Sequence, residues 1–209
     1  MTDEFRSVCV VGLGYIGLPT ASLLGTKGFD VLGVDVSQHV VDTINDGNIH
    51  IVEPDLDILV KSSVNAGKLK ASTTAQESDV FILAVPTPFK DNNEPDLHFV
   101  EQATKTIAPY VKPGNLVILE STSPVGTTEH TVARILAEHG LDIEKDVLVA
   151  HCPERVLPGR ILIELVENDR IVGGINPIAT AKAGDFYRSF VRGEVLETNA
   201  ATAEMAKLT

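Results

Sequence analysis

The stretch Val8–Cys9–Val10–Val11–Gly12–Leu13–Gly14–Tyr15–Ile16–Gly17 reads as a buried strand, a glycine turn and the first turn of a helix. A second apolar run, Val31–Val34, closes on the acidic Asp35 about 20 residues further on, the spacing of a dinucleotide-binding βαβ unit. Each glycine has a separate task. Gly12 permits the tight turn, Gly14 lets backbone approach a pyrophosphate, and Gly17 lets helix pack closely on strand. The helix N-terminus then faces the negative charge of the phosphates. A carboxylate at Asp35 accepts hydrogen bonds from the adenosine ribose hydroxyls and repels a 2′-phosphate. No Arg or Lys follows it, only Val36, Ser37 and Gln38, so NAD is expected rather than NADP.

Outward from this unit, apolar runs alternate with helix-length amphipathic stretches. Strands are expected at Ser7–Leu13, Val31–Asp35, Leu69–Ser72, Val80–Val85, Leu116–Ser121, Val147–Cys152, Arg170–Gly173 and Val195–Thr198. Helices are expected near Ile16–Lys27, Gln38–Asn45, Asp55–Ala66, Leu97–Val111, Thr127–Gly140 and Pro177–Phe190. Strands apolar throughout imply a sheet covered on both faces, and helical connections imply parallel pairing. The expectation is an α/β fold: a doubly wound, mostly parallel Rossmann-like sheet of about eight strands with helices on both faces. The chain closes with helix formers after Asn199, a suitable N-cap, and no glycine or proline stop follows. This reads as a helix cut off in mid-pattern.

Composition narrows the function. With 209 residues, 44% of them hydrophobic, the chain can bury a large core. A net charge of −12 argues against nucleic acid, whose phosphates need a basic face. The apolar runs are far too short to span a bilayer, and Met1–Arg6 is no secretory signal. Cys9 and Cys152 lie on different apolar runs, which fits reduced thiols in a cytoplasmic protein. No histidine stands at zinc spacing from either cysteine, so no metal is expected.

In an open α/β sheet ligands bind outside the carboxyl ends of the strands, and the unusual residues cluster there. Pro86–Thr87–Pro88–Phe89 is a rigid turn that brings the Thr87 hydroxyl near a cofactor, or else merely stiffens a loop. Glu120–Thr128 is a hydroxyl-rich turn before a helix N-terminus, suited to a nicotinamide, a substrate hydroxyl or a water; simple capping by Thr127 or Thr128 is the plainer reading. Pro153–Arg160 sets Glu154 between prolines with Arg155 and Arg160, able to orient a water and clamp a phosphate, or to form a surface salt-bridge loop. Cys152, closing an apolar strand, reads as a small core residue.

Taken together, the blocks VGLGYIGLPTA, GVDVSQHVVDTIN, IHIVEPDLD, AVPTPF, ILESTSPVGTTE, CPERVLPG, NDRIVGG and TAEMAKLT resemble the UDP-glucose/GDP-mannose 6-dehydrogenase family across essentially the whole chain. ERVLPG and IVEPDL point to its N-acetylhexosamine branch. The resemblance implies oxidation of C6 of a UDP-N-acetylhexosamine from alcohol to carboxylate, with two NAD reduced and a cysteine trapping the aldehyde. It implies that Tyr15, Ile16, Asp35, Pro86, Thr87 and Thr128 join Gly12, Gly14 and Gly17 around NAD. Thr122 and Glu154 would hold water or assist proton transfer, Arg155 and Val156 would meet the nucleotide sugar, and Lys207 would stabilise an oxyanion or relay a proton. UDP-glucose enzymes carry a second glutamate where this chain has Pro158, so its roles do not transfer. The family's nucleophilic cysteine lies in a later glycine-rich block, and neither Cys9 nor Cys152 inherits the role.

The resemblance divides the chain into an NAD-binding domain, 1–198, and the start of the central helix, 199–209, through which the full-length enzymes dimerise. It leaves the UDP-sugar domain outside these residues. Two other readings stand beside it: a self-contained NAD-binding module, and a β-hydroxyacid dehydrogenase, which the ERVLPG block disfavours.

Overall fold

A computed structural model describes residues 5–91 and 93–209. The expected start of the chain, Met1–Glu4, lies outside the described residues. The strands are β1 (Ser7–Val11), β2 (Asp30–Val34), β3 (Leu69–Ser72), β4 (Val80–Leu83), β5 (Leu116–Leu119), β6 (Leu148–His151), β7 (Arg170–Gly174) and β8 (Val195–Asn199). They form one eight-stranded sheet in the order β3-β2-β1-β4-β5-β6-β7-β8. Every pairing is parallel except β6 with β7. The chain reverses its winding direction between β1 and β4, and that switch opens a crevice at their carboxyl ends.

The helices are α1 (Gly17–Thr26), α2 (Gln38–Asn45), α3 (Leu56–Asn65), α4 (His98–Ile107), α5 (Arg134–Glu138), α6 (Ile161–Glu167), α7 (Pro177–Arg188) and α8 (Ala200–Leu208). One face of the sheet packs on α1, α2, α3, α6 and α7 through Leu18, Leu24, Ile44, Val60, Leu165 and Phe186. The other packs on α4, α5 and the turn that precedes α5 through Val100, Ile107, Leu136 and Val132. Strands β4 and β5 are buried at every position because both faces are covered.

Several expected boundaries move. The strands stop two residues short of the expected ends at Leu13, Val85 and Ser121, because the chain turns into loops at the crevice. Glu120 and Ser121 both donate their N–H to Leu83 O, so the β5 ladder ends there. The expected helix Thr127–Gly140 opens as a π-helical turn, Thr128–Ala133, before α5. Helix α6 was not expected at all. Its free N-terminal amides are met from far away: Glu53 accepts from Gly159 N and Ile161 N, each at 2.8 Å. A cap supplied about a hundred residues away leaves no local signature.

Candidate functional site

The glycine turn is built as its spacing requires. Gly12 has φ +90°, and a Cβ there would stand 2.6 Å from Ala84 O on the neighbouring strand's exit. A Cβ on Gly17 would lie against Gly12 O, so α1 approaches the turn only with glycine at that position. Gly14 differs: nothing lies within 4 Å of where its Cβ would be. The turn is held open on the side where a pyrophosphate approaches, a cradle that fits a dinucleotide.

Asp35 follows β2 directly, with its carboxylate tied to backbone: Oδ2 accepts from Leu13 N at 3.0 Å and Oδ1 from Ser37 N at 2.9 Å. The glycine turn and the Asp35 carboxylate are thus locked in register, with lone pairs of the carboxylate left over. Beside it lies a largely apolar cavity of about 310 Å³, lined by Gly12, Val34, Asp35, Val36, Pro86, Phe99 and Ala103. A slot of this character suits an adenine ring.

Val85 and Pro86 join this slot to a second cavity of about 240 Å³. Its wall brings together Ile16, Pro86, Thr87, Thr122, Glu154, Val156 and Lys207, from five separate parts of the chain. Tyr15 lies exposed beside it on the turn. Lys207 of α8 reaches across to donate to Glu154 O at 2.6 Å. Glu154 is buried, its Oε1 accepting from Arg155 N at 2.8 Å and its Oε2 paired with Arg170. Burial opposes the charge of Arg170, but the acidic groups around it, Glu154 foremost and then Cys152, Tyr187 and Glu120, together outweigh burial and keep the guanidinium ionised.

The hydroxyl-rich turn divides its labour. Ser121 bridges the ends of β4 and β5, accepting from Val85 N at 3.0 Å and donating to Val85 O at 2.7 Å. Ser123 donates to Ser121 O and Thr127 to Pro124 O. Thr87 donates to Thr122 O at 2.6 Å, fastening the proline turn to this one. Thr122 is exposed and lines the cavity. Thr128 is put to another use than the expected cofactor contact: it is fully buried, with its N–H and hydroxyl both given to Glu204 at 2.7 and 2.6 Å. Arg155 is exposed and reaches Asp169 O at 3.1 Å, while Val156 lines the cavity.

Sequence reading passed over two groups of the cavity floor and wall. Glu120 is 3% exposed, accepts from the Tyr187 hydroxyl at 2.7 Å through Oε1, and lines the cavity. Burial first, and then the neighbouring Glu154 carboxylate, push its carboxyl up to about 7, against the pull of Arg170 and Tyr187. A carboxylate closing the apolar run Leu116–Leu119 was the available signal. Arg170, the buried partner of Glu154, opens β7 and read only as a strand end. Both cysteines are buried, and burial pushes each thiol up to about 12, so neither is a nucleophile here. Among the described residues no group of His, Cys, Asp and Glu can hold a metal ion. No helix among them is long and apolar enough to cross a membrane.

The family model described as the UDP-glucose/GDP-mannose dehydrogenase family, NAD binding domain, matches residues 6–191. A UDP-N-acetyl-D-mannosamine dehydrogenase of Campylobacter jejuni is 56% identical over 216 residues, covering 99% of this chain and 53% of the relative. An NDP-N-acetyl-D-galactosaminuronic acid dehydrogenase of Ralstonia nicotianae is 55% identical over 213 residues, covering 99% and 50%. The solved UDP-N-acetyl-mannosamine dehydrogenase of Staphylococcus aureus superposes with a TM-score of 0.94 at 46% identity, covering 97% of this chain and 50% of that one. The chain spans about half the length of the curated relatives it matches. Family model and relatives agree with the glycine turn and the fold: the chain belongs to the UDP-glucose/GDP-mannose dehydrogenase family, as its NAD-binding domain.

Proposed function

We propose that this chain is the NAD-binding half of a nucleotide-sugar 6-dehydrogenase that oxidises UDP-N-acetyl-D-mannosamine to the corresponding uronate, with two NAD reduced, for surface polysaccharide synthesis. The observation that carries the reading is the second cavity, where Ile16, Pro86 and Thr87 meet Thr122, Glu154, Val156 and Lys207. NAD, when bound, supplies the hydride acceptor. Gly12, Gly14 and Gly17 admit its pyrophosphate, Asp35 holds its ribose, and Tyr15, Ile16, Pro86 and Thr87 border its far end.

The chain's own residues then supply positioning and charge. Lys207, steadied by Glu154 O, keeps further N–H donors for an oxyanion forming in the cavity. The Thr122 hydroxyl is free to hold the substrate hydroxyl or a water. Glu154, fixed by Arg170 and by its neighbour's amide, orients polar groups without moving. Arg155 and Val156 border the place of the nucleotide sugar. We place the cysteine nucleophile outside residues 1–209, take 1–198 as the domain and 199–209 as the start of a helix through which the full-length protein forms a homodimer, and place that protein in the cytoplasm.

The test is to follow NADH absorbance with the full-length protein and UDP-N-acetylmannosamine, its gluco epimer and UDP-N-acetylgalactosamine. Two NADH per manno substrate, with little from the others, supports the reading. Preference for another sugar overturns the substrate, and the same chain alone turning over steadily overturns the assignment of the nucleophile. NAD binding with no oxidation of any sugar by the full-length protein would favour a binding module.

A further inference from the structure

Beneath the second cavity lies a buried polar cluster that the proposed reaction leaves unassigned. Glu120 at the end of β5 is its centre. Four groups face it from the elements around: Cys152 and Glu154 after β6, Arg170 on β7 and Tyr187 on α7. Lys207 of α8 lines the same cavity. Each of these has settled its own charge. Arg170 pairs with Glu154, Lys207 rests on Glu154 O, and the Cys152 thiol and Tyr187 hydroxyl stay protonated, both pushed up by burial.

Arg170 Nε is buried without a partner, yet its guanidinium stays ionised; Glu120 is the group whose protonation is left open. Oε1 accepts from Tyr187 at 2.7 Å, but Oε2 is buried and has no hydrogen-bond partner in the protein. An ionised carboxylate asks for several donors, and this one is offered a single phenol. Held as the neutral acid, it needs instead one acceptor for its own O–H. With no protein acceptor supplied, that partner has to come from the cavity, as water or ligand. A positive charge brought into the cavity would reverse the preference, since an opposite charge within a few ångströms favours the ionised form.

We infer that Glu120 is the proton-exchanging group of the dinucleotide cleft, keeping its proton while the cavity holds no added charge and releasing it when the cationic nicotinamide of NAD⁺ enters. The inference rests on NAD occupying the cleft as proposed above. The carboxyl O–H bond breaks, the proton passes to water in the cavity and out through its mouth, and no electrons move. The neutral dihydronicotinamide of NADH offers no such charge, so the cleft distinguishes the two redox forms electrostatically. NAD⁺ affinity then rises with pH while NADH affinity does not. Glu120 thereby acts on cofactor choice and product release.

Calorimetric titration of the full-length protein with NAD⁺ and with NADH, in two buffers of different ionisation heat, counts the protons released. Near neutral pH, NAD⁺ should release a sizeable fraction of a proton and NADH none. NAD⁺ affinity should climb about tenfold between about pH 6 and pH 8, within the usual range of coupled equilibria. Glu120→Gln should abolish both effects. Tyr187→Phe removes a donor that favours the carboxylate, so release should persist with its midpoint moved to higher pH. Should the glutamine variant fail to fold, an NAD⁺-minus-NADH infrared difference spectrum of the wild type should show loss of a neutral carboxylic acid band. Equal proton release by the two dinucleotides, release that survives in Glu120→Gln, or no change in that band overturns the inference and leaves the cofactor assignment standing. Failure of either dinucleotide to bind at any pH overturns the assignment, and this inference with it.

Discussion

Glu204 on α8 closes over the start of the π turn at Thr128, its Oε1 accepting both the Thr128 amide and hydroxyl while Oε2 accepts from Gly126 N at 2.5 Å. Glu204 is fully buried, and Lys207 follows it by one helical turn on the same side of α8. The contact therefore does two jobs: it caps a helix whose own N-cap side chain, Thr127, makes no capping bond, and it aims Lys207 at Glu154 O. Replacing Glu204 with Ala strands three donors around a cavity. A loss of about 3 kcal/mol is expected by urea denaturation, and Glu204→Gln should lose less because one acceptor remains. An unchanged midpoint in the alanine variant would show the contact to be incidental.

Two glycines of the same turn should fail in opposite ways. A methyl on Gly17 collides with Gly12 O, so Gly17→Ala should not give a stable domain. A methyl on Gly14 meets open space, so Gly14→Ala should keep its stability to within about 0.5 kcal/mol. It should nonetheless weaken NAD binding at least about tenfold, because the methyl stands where the pyrophosphate approaches. Thermal unfolding paired with a fluorescence titration separates the two, and tight binding by Gly14→Ala would contradict the cradle.

Cofactor choice should follow Asp35. The wild type should bind NAD at least about tenfold more tightly than NADP, since a 2′-phosphate would sit against a carboxylate. Asp35→Asn keeps an acceptor for only one of Leu13 N and Ser37 N and removes the charge, and should narrow the gap. Competition titrations decide it, and tighter NADP binding by the wild type would refute the assignment.

His151 and Glu120 should pull stability in opposite directions with pH. His151 is fully buried with neither ring nitrogen bonded, and burial pushes it down from 6.5 to about 4. The unfolded chain therefore takes up the proton first, and the stability present above pH 6.5 is lost as pH falls toward 4. Glu120 is raised from 4.5 to about 7, so the folded state holds the extra proton, and stability falls as pH rises through that window. Each effect is worth about 3 kcal/mol, and they largely cancel where they overlap. His151→Leu should expose the downward slope with rising pH, and Glu120→Gln the upward one. Denaturation of both variants across this range checks the signs. Parallel slopes would remove the explanation.

Much of this was legible along the chain. The apolar run before Gly12 and the acid closing the next run specify a strand, a tight turn and a carboxylate at a strand end because each property is local: a φ angle, a missing Cβ, a charge. Uninterrupted apolar strands at β4 and β5 likewise announce burial on both faces, and Asn199 caps α8 as its side chain and position suggest, accepting from Thr202 N at 2.8 Å. Local pattern also marked the turns that hold Thr122 and Glu154, and the family resemblance pointed to Lys207; all three line one cavity.

Other features belong to tertiary structure alone. Helix α6 depends on Glu53, the π turn on Glu204, and the ionisation of Glu120 on burial beside Glu154, Arg170 and Tyr187. A one-dimensional pattern carries conformational preference, whereas a hydrogen bond across a hundred residues and a dielectric environment exist only after the sheet has assembled. For that reason Thr128, chemically indistinguishable from Thr122 in the chain, is committed to Glu204 while Thr122 faces the cleft.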